Sequence, residues 1–258
     1  MNELKTAVGI AFKAGDVLLK YFGRKPSIRF KGAIDIVTEA DIKSEELITK
    51  ALLRSFPDDS ILCEEGSNVT GSPERKWVVD PLDGTTNFAH GYPFFAVSIA
   101  LEEKGGIAVG VVYDPLRKEL FTAERGRPSK LNNKKISVSR INSLKHSLLC
   151  SGFPYDVATS PENNISHWNS FIRKAQAVRR DGSAALNVCY VACGRFDGFW
   201  EMKLKPWDLA AASLIAEQAG GMVTDFNGKG FNIYSGRIVA SNGKIHKNML
   251  KILGGADS

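Results

Sequence analysis

The sequence predicts a layered α/β protein. Its second half alternates short β-prone runs with helical patterns, which is typical of helices packed against a sheet. Its first half opens with two amphipathic helical patterns and continues with five β-prone runs. The composition, 43% hydrophobic and 24% charged residues over 258 positions, is that of a globular chain with a large core.

Two helices are predicted at the N-terminus. Apolar residues recur at helical spacing over 4–22, and Gly23 follows as a C-terminal stop. The second pattern starts at Thr38, which has Asp41 three residues later in the capping-box position, and it stops at Pro57.

The five β-prone runs that follow are separated by Gly, Pro and charged turns, and they predict one mixed or antiparallel sheet. These runs are 60–63, 77–79, 96–101, 107–113 and 120–123.

The second half predicts an alternation of strands and helices. Strands are expected at 147–151, near Val178, and at 196–201, 222–226 and 238–241, and helices around Trp168, over 183–193 and 207–219, and from Lys244. Because no repeat or Pro/Gly/Ser-rich linker interrupts the chain, we expect one domain over 1–258, with an N-terminal α+β half (1–140) and a C-terminal α/β half (141–258).

Charge and hydropathy restrict the function classes. With 34 Lys plus Arg against 28 Asp plus Glu, the net charge of +6 suits anionic substrates or nucleic acid. The four cysteines form no C-x-x-C pair and the four histidines are scattered, so we expect neither a disulfide framework nor a zinc site. No apolar run reaches the roughly 18 residues of a membrane span, and no secretory signal surrounds Glu3. We therefore expect a cytoplasmic protein without a membrane segment.

The segment 77–87 carries the most informative pattern. Asp80 and Asp83 come at the end of a β-prone run, and Gly84 and Thr85 follow directly. A loop at the end of a strand can wrap such carboxylates around a cation, and hard oxygen ligands of this kind suit Mg²⁺ or Mn²⁺.

Three further acids support a metal site. Glu64 and Glu65 follow another predicted strand, and Asp208 starts a predicted helix. Taken singly, these acids and the 77–87 turn could be solvated residues or helix caps, but together they indicate a carboxylate cluster. A phosphatase with the D-x-D-G-T nucleophile motif is excluded, because Pro81 occupies the position of the nucleophile two residues before Asp83.

At these motifs the sequence resembles the inositol monophosphatase family, part of the lithium-sensitive, metal-dependent sugar-phosphatase superfamily. The resemblance extends over about residues 4–253. The segments that carry it are 35–41, 64–66, 77–99, 182–185 and 207–221.

The resemblance implies a five-layer αβαβα sandwich and a homodimer. It also implies hydrolysis of a phosphate monoester that depends on two or three Mg²⁺ ions, for which Mn²⁺ can substitute. It implies that Glu64 and Thr85 activate the attacking water, with Asp41 bonded to Thr85. The implied metal ligands are Glu64, Asp80, the carbonyl of Leu82, Asp83 and Asp208. The implied substrate-binding residues are Asp83, Gly84, Thr85, Arg180, Gly182, Ser183, Ala184 and Glu201, and Lys31 and Glu65 are placed at a loop that closes over the metals.

Several functions remain open at this point. Inositol 1-phosphate is the expected substrate, because Glu201 occupies the position that accepts a ring hydroxyl in these enzymes. Histidinol phosphate, fructose 1,6-bisphosphate, nucleotide 3′-phosphates and NADP are the alternatives. A role in binding RNA or protein is the second hypothesis, through the basic surfaces 24–31, 125–135 and 173–180, with Phe30, Trp168 and Phe171 as stacking aromatics.

Overall fold

The computed structural model of this chain describes residues 2–24, 28–30, 32 and 34–254, so Lys31 lies outside the described residues. The elements of the N-terminal half are α1 (Glu3–Tyr21), β1 (Ile28–Phe30), β2 (Ile36–Thr38), α2 (Glu39–Ser55), β3 (Asp59–Cys63), β4 (Ser72–Asp83), α3 (Thr85–Ala89), β5 (Ala96–Glu103), β6 (Gly106–Asp114), β7 (Glu119–Glu124), β8 (Lys130–Leu131) and β9 (Lys134–Lys135). Those of the C-terminal half are β10 (Leu148–Ser151), α4 (Ile165–Ile172), β11 (Ala177–Arg179), α5 (Ala184–Ala192), β12 (Gly198–Met202), α6 (Pro206–Gln218), β13 (Met222–Thr224), β14 (Arg237–Ser241) and α7 (His246–Leu253).

The first large sheet has seven strands in chain order, from β3 to β9. Strands β3 and β4 are parallel and every later pair is antiparallel, which confirms the predicted mixed sheet. The register of β4 against β5 shifts between Asp80 and Asp83. A bulge of this kind re-aims side chains, so the acidic motif lies at an irregularity in the sheet.

The second sheet has five strands in the order β11-β10-β12-β14-β13. Its first three strands are parallel, whereas β14 runs antiparallel to β12 and β13. A separate two-stranded ribbon, β1 with β2, leads directly into α2.

Helices cover both faces of each large sheet. Helices α1 and α2 contact the outer face of the seven-stranded sheet, α5 and α6 lie between the sheets, and α4 and α7 cover the far face of the five-stranded sheet. Three clusters of buried apolar residues fill these interfaces, and the largest, around α5 and α6, is lined from both sheets. This arrangement confirms the five-layer αβαβα sandwich. Among the described residues, no helix is both long and apolar enough to cross a bilayer.

Candidate metal centre and active site

Three carboxylates meet where β4 ends and α6 begins, two of them buried and that of Asp208 half-buried. Asp80 and Asp83 lie on either side of the β4 bulge and are 1% and 7% exposed. Asp208 lies in the first turn of α6, where its Oδ2 accepts a hydrogen bond from the Lys205 N–H at 2.7 Å, as a capping residue does. One oxygen of each carboxylate lies within 4.8 Å of the other two. Oxygen donors at this spacing fit a hard divalent cation.

Within the residues that the structure describes, no protein cation balances the negative charge of this cluster. No Lys or Arg forms an ion pair with the three aspartates within the described part of the chain. Burial raises the pKa of Asp80 well above its ordinary value, and the charges of Glu64, Asp83 and Asp208 raise it further. Desolvation and the neighbouring acids likewise raise the pKa of Asp208. A bound cation would remove this penalty, so the donor set fits a metal.

The N-terminus of α5 holds Asp83 in place. Ser183 Oγ donates to Asp83 Oδ2, the Ala185 N–H donates to the same oxygen at 2.8 Å, and the Ala184 N–H donates to Oδ1 at 3.2 Å. Burial raises the pKa of Asp83 to about 6, although these hydrogen bonds act to lower it. Both oxygens of Asp83 therefore have a fixed direction.

A chain of hydroxyl and carboxylate groups connects α2 to α3. Thr85 Oγ1 lies 3.0 Å from Asp41 Oδ1 and 3.1 Å from the carbonyl oxygen of Leu82. The second oxygen of Asp41 accepts from both the N–H and the hydroxyl of Thr38, at 2.8 and 2.5 Å, which confirms the predicted capping box. Burial raises the pKa of Asp41 to about 6. The helix cap thus also fixes the partner of Thr85.

Two glycines bring the loops of the site together. Gly84 has φ +100°, and a Cβ there would lie 3.0 Å from the Phe94 carbonyl oxygen. Gly182 has φ +84°, and a Cβ there would lie 3.0 Å from the Asn87 amide. Asn87 Nδ2 donates to the carbonyls of Phe94 and Asp181, at 2.8 and 2.7 Å, and so joins the 84–94 turn to the segment before α5.

These groups line one cavity of about 320 Å³, between the ends of the two sheets. The residues of the sequence prediction that line it are Glu64, Asp80, Leu82, Asp83, Gly84, Thr85, Arg180, Gly182, Ser183, Ala184, Glu201 and Asp208. Asp41 contacts it only through Thr85, and Glu65, whose N–H donates to Glu45 Oε2 at 2.7 Å, does not line it. Lys31 falls outside the described residues.

Glu201, on β12, lines the same cavity as the aspartate cluster. Burial raises its pKa to about 8, and the charge of Arg180 acts to lower it. In the metal-free protein at neutral pH, Glu201 is therefore protonated to a large extent and can both donate and accept a hydrogen bond.

The sequence profile of the inositol monophosphatase family matches residues 2–256. The chain belongs to this family. It is 43% identical over 250 residues to the Nus factor SuhB of Pasteurella multocida, covering 96% of this chain and 94% of that protein. It is 42% identical over 253 residues to the inositol-1-monophosphatase of a Synechocystis species, covering 97% of this chain and 88% of that protein. The solved structure of the inositol monophosphatase of Anabaena superposes with a TM-score of 0.90 at 42% identity, covering 98% of this chain and 95% of that one.

This family member has residues in the cavity that the sequence motifs did not identify. They include Asn187, Tyr155 and Lys203. Asn187 Oδ1 is buried and has no hydrogen-bond partner among the residues that the structure describes. Its spacing of four from Ser183 on α5 could have indicated it, because such residues share a helix face. Tyr155 and Lys203 reach the cavity from separate loops, and no local pattern points to them.

One part of the RNA-binding hypothesis is wrong. Phe171 is fully buried and stacks on Trp200 with ring centroids 3.9 Å apart. Trp168 is half-buried and packs against Phe153 and Trp200. Of the three aromatics expected to stack on bases, only Phe30 is largely exposed, at 71%.

Proposed function

We propose that this protein hydrolyses inositol 1-phosphate to inositol and phosphate and uses Mg²⁺ as its cofactor. Membership of the inositol monophosphatase family supports a phosphatase. The observation that carries the proposal is the cluster of Asp80, Asp83 and Asp208, which forms no ion pair with a Lys or Arg among the described residues and shares one cavity with Glu64 and Glu201. Two bound metal ions would balance the negative charge of this cluster and attract the phosphate group of a monoester.

The metal ligands in this proposal are Glu64, Asp80, the Leu82 carbonyl, Asp83 and Asp208, which would share two or three ions. Bound Mg²⁺, or Mn²⁺ in its place, lowers the pKa of water and stabilises the attacking and leaving oxygens. The preference for Mg²⁺ rests on the all-oxygen donor set.

The chain itself directs the attacking water. Thr85 Oγ1 has one proton and two acceptors in reach, Asp41 and the Leu82 carbonyl, so a lone pair of Thr85 remains to accept a hydrogen bond from water. Glu64 takes the proton of that water. The backbone N–H groups of Gly84 and Thr85 donate to the phosphate oxygens, because the left-handed turn at Gly84 exposes them at the start of α3.

The alcohol part of the substrate lies toward α5 and β12 in this proposal. Glu201 and Ser183 bind its ring hydroxyls, and Gly182 and Ala184 provide space next to them. Arg180 is exposed at the rim of the cavity, where it attracts an anionic substrate. Cations bound nearby favour the ionised form of Glu201, which repels a second phosphate and so favours a neutral polyol over fructose 1,6-bisphosphate.

A panel of phosphate monoesters assayed with Mg²⁺ tests the substrate. We expect inositol 1-phosphate to have the highest kcat/KM, ahead of histidinol phosphate, fructose 1,6-bisphosphate, nucleotide 3′-phosphates and NADP. A competitor that exceeds inositol 1-phosphate by more than tenfold would show that the substrate assignment is wrong.

We propose in addition that the protein is a cytoplasmic homodimer and that lithium inhibits it.

A role in binding RNA is the second candidate function. Several relatives bear the name Nus factor SuhB, and the hairpin of β8 and β9 exposes Lys130, Lys134 and Lys135 next to the exposed Arg127. If this surface binds RNA, affinity should fall steeply between 50 and 200 mM salt, since released counterions set that slope. Absence of binding at 50 mM salt would eliminate the candidate.

A further inference from the structure

The segment 152–156 follows β10, and its residues 152–155 form the wall of the cavity next to Glu201. Gly152 packs directly on the Glu201 carboxylate, which leaves no space for a Cβ at this position. Asn164, which is 3% exposed, fixes the segment from behind: its Nδ2 donates to the Gly152 carbonyl at 2.6 Å, and its Oδ1 accepts from Trp200 Nε1 at 2.8 Å. The start of the segment is therefore rigidly placed.

Lys203 holds the other end of the segment. It follows β12 with φ +60°, in the left-handed region that a non-glycine residue rarely adopts. Its Nζ lies 2.6 Å from Asp156 Oδ2 and 2.8 Å from Ser160 Oγ. Lys203 also lines the cavity, so this tether spans the wall between β12 and the segment.

Between these two fixed points lies Tyr155. The residue is 58% exposed, and it lines the same cavity as the acidic cluster. Desolvation raises the pKa of its hydroxyl, and the nearby charges of Asp35, Glu64 and Asp208 raise it further. Asp35, Glu64 and Asp208 line the same cavity, so Tyr155 shares it with the acidic cluster.

The hydroxyl of Tyr155 is a donor without an acceptor. Across residues 2–24, 28–30, 32 and 34–254, the structure gives it no hydrogen-bond partner. Because its proton is retained at neutral pH, the hydroxyl offers an O–H to whatever occupies the cavity. Once cations neutralise the carboxylates, the strongest acceptor that a phosphate monoester brings is its phosphate group.

We propose that Tyr155 is a substrate-binding residue whose hydroxyl donates a hydrogen bond to a phosphate oxygen, and that Lys203 positions Tyr155 by holding the segment 152–156. This inference deepens the proposed function and rests on it. In the proposed function the segment 152–156 lies next to the alcohol part of the substrate, whereas this inference has one of its residues bind the phosphate group.

The variant Tyr155→Phe removes only the hydroxyl. We expect it to raise the KM for inositol 1-phosphate and the inhibition constant of inorganic phosphate by the same factor, about tenfold, because a hydrogen bond to a charged group is lost. The KM for glycerol 2-phosphate should rise equally, and the melting temperature should not change. Values within twofold of wild type would overturn the proposal. A rise confined to inositol 1-phosphate, with phosphate inhibition unchanged, would also overturn it, since the hydroxyl would then bind the alcohol.

The role of Lys203 is tested in a double-mutant cycle. Lys203→Met should raise both the KM for inositol 1-phosphate and the inhibition constant of inorganic phosphate about threefold or more. Lys203→Arg keeps the charge and should leave both constants close to their wild-type values. In the Tyr155→Phe background, Lys203→Met should add little, because the hydroxyl that it positions is absent. Fully additive effects would contradict the positioning role. Arg127→Met, which breaks the exposed ion pair with Glu124, is the matched control and should change neither constant.

These readouts separate the inference from the proposed function. If wild-type protein hydrolyses no monoester in the panel, the proposed function is wrong. The affinity for inorganic phosphate, measured by calorimetry in the presence of Mg²⁺, can then still be compared between Tyr155→Phe and wild type. Equal phosphate affinity of the two proteins would reject the inference by itself.

Discussion

Thr85 contacts Asp41 of α2 and lines the cavity that holds the aspartate cluster, and its hydroxyl has a single proton. If Asp41 accepts that proton at 3.0 Å, the lone pairs of Thr85 face the cavity and can orient water. The capping box that starts α2 keeps Asp41 in this orientation. In the proposed mechanism, the carboxylate that caps α2 therefore also orients the hydroxyl of Thr85 toward water.

We expect Thr85→Ala and Glu64→Gln each to lower kcat by about 10² or more, because general-base assistance contributes about 10² to 10⁴. Thr85→Ser keeps the hydroxyl and should retain most of the activity. Steady-state phosphate release measures all three variants. Activity of Thr85→Ala and Glu64→Gln within threefold of wild type would remove the water-activation assignment.

At the scale of elements, the short helix α3 depends on the left-handed backbone of Gly84. A residue with a Cβ is strained at φ +100°, and its Cβ would press on the Phe94 carbonyl. The position also joins β4 to the 84–94 turn, so a shift there moves Asp83 and Thr85 together.

The variant Gly84→Ala should lose about 1 to 3 kcal/mol of unfolding free energy and at least tenfold in kcat. Gly9→Ala is the matched control, since Gly9 is an exposed residue of α1 with open space around it. That control should gain up to about 1 kcal/mol and keep full activity. Urea unfolding and phosphate release test both. Equal stability of the two variants would show that the turn at Gly84 is not under the strain described.

The long elements could be predicted from the sequence because periodicity and caps define them locally: α1, α2, α5 and α6 differ from their predicted bounds by only one or two residues. The ribbon of β1 with β2, the helix α3 and the extension of β4 to Asp83 were not predicted. These elements are short or contain a bulge, so they are defined by tertiary contacts and leave no periodic pattern in the sequence. The same holds in the site, where the family motifs indicated the acids, whereas Tyr155 and Lys203 come together only through the fold.

At the scale of the molecule, the cavity combines residues from both predicted halves of the chain. Glu64, Asp80 and Asp83 come from 1–140, and Glu201 and Asp208 come from 141–258. That these halves form one domain stays a prediction. The fold brings these acids together in one cavity. Their charge makes the stability of the metal-free protein depend on pH.

The pKa values of Asp41 and Asp83 are raised to about 6 and that of Glu201 to about 8. The folded state binds these three protons more tightly than the unfolded state, so the protonated acids stabilise the folded protein. This stabilisation is complete below about pH 4. The part from Asp41 and Asp83 is lost as the pH rises through about 6, and the part from Glu201 as it rises through about 8. We expect the melting temperature of the metal-free protein to fall over this range, and Mg²⁺ to raise it more at pH 8 than at pH 5. Glu201→Gln should flatten the upper part of the curve. A metal-free melting temperature that rises from pH 5 to pH 8 would contradict this account of the cluster.

The central claim is that the aspartate cluster is a metal site, and Asp80→Asn tests it more cleanly than a change at Asp83. Asp83 accepts three hydrogen bonds through both oxygens, so an amide there would place an NH₂ against donors. Among the described residues, Asp80 accepts only from the Leu82 N–H, through Oδ1 at 2.9 Å, and asparagine can keep that bond.

The deciding measurement is the melting temperature of wild type and Asp80→Asn, with and without Mg²⁺. At a hundred times the dissociation constant, Mg²⁺ should stabilise wild type by about 2.7 kcal/mol, which is a rise of about 5 to 10 °C for a chain of about this size. Asp80→Asn should melt at or above metal-free wild type, because one of three clustered charges is gone, and should lose most of the response to Mg²⁺. No rise in wild type, or an equal rise in the variant, would contradict the claim.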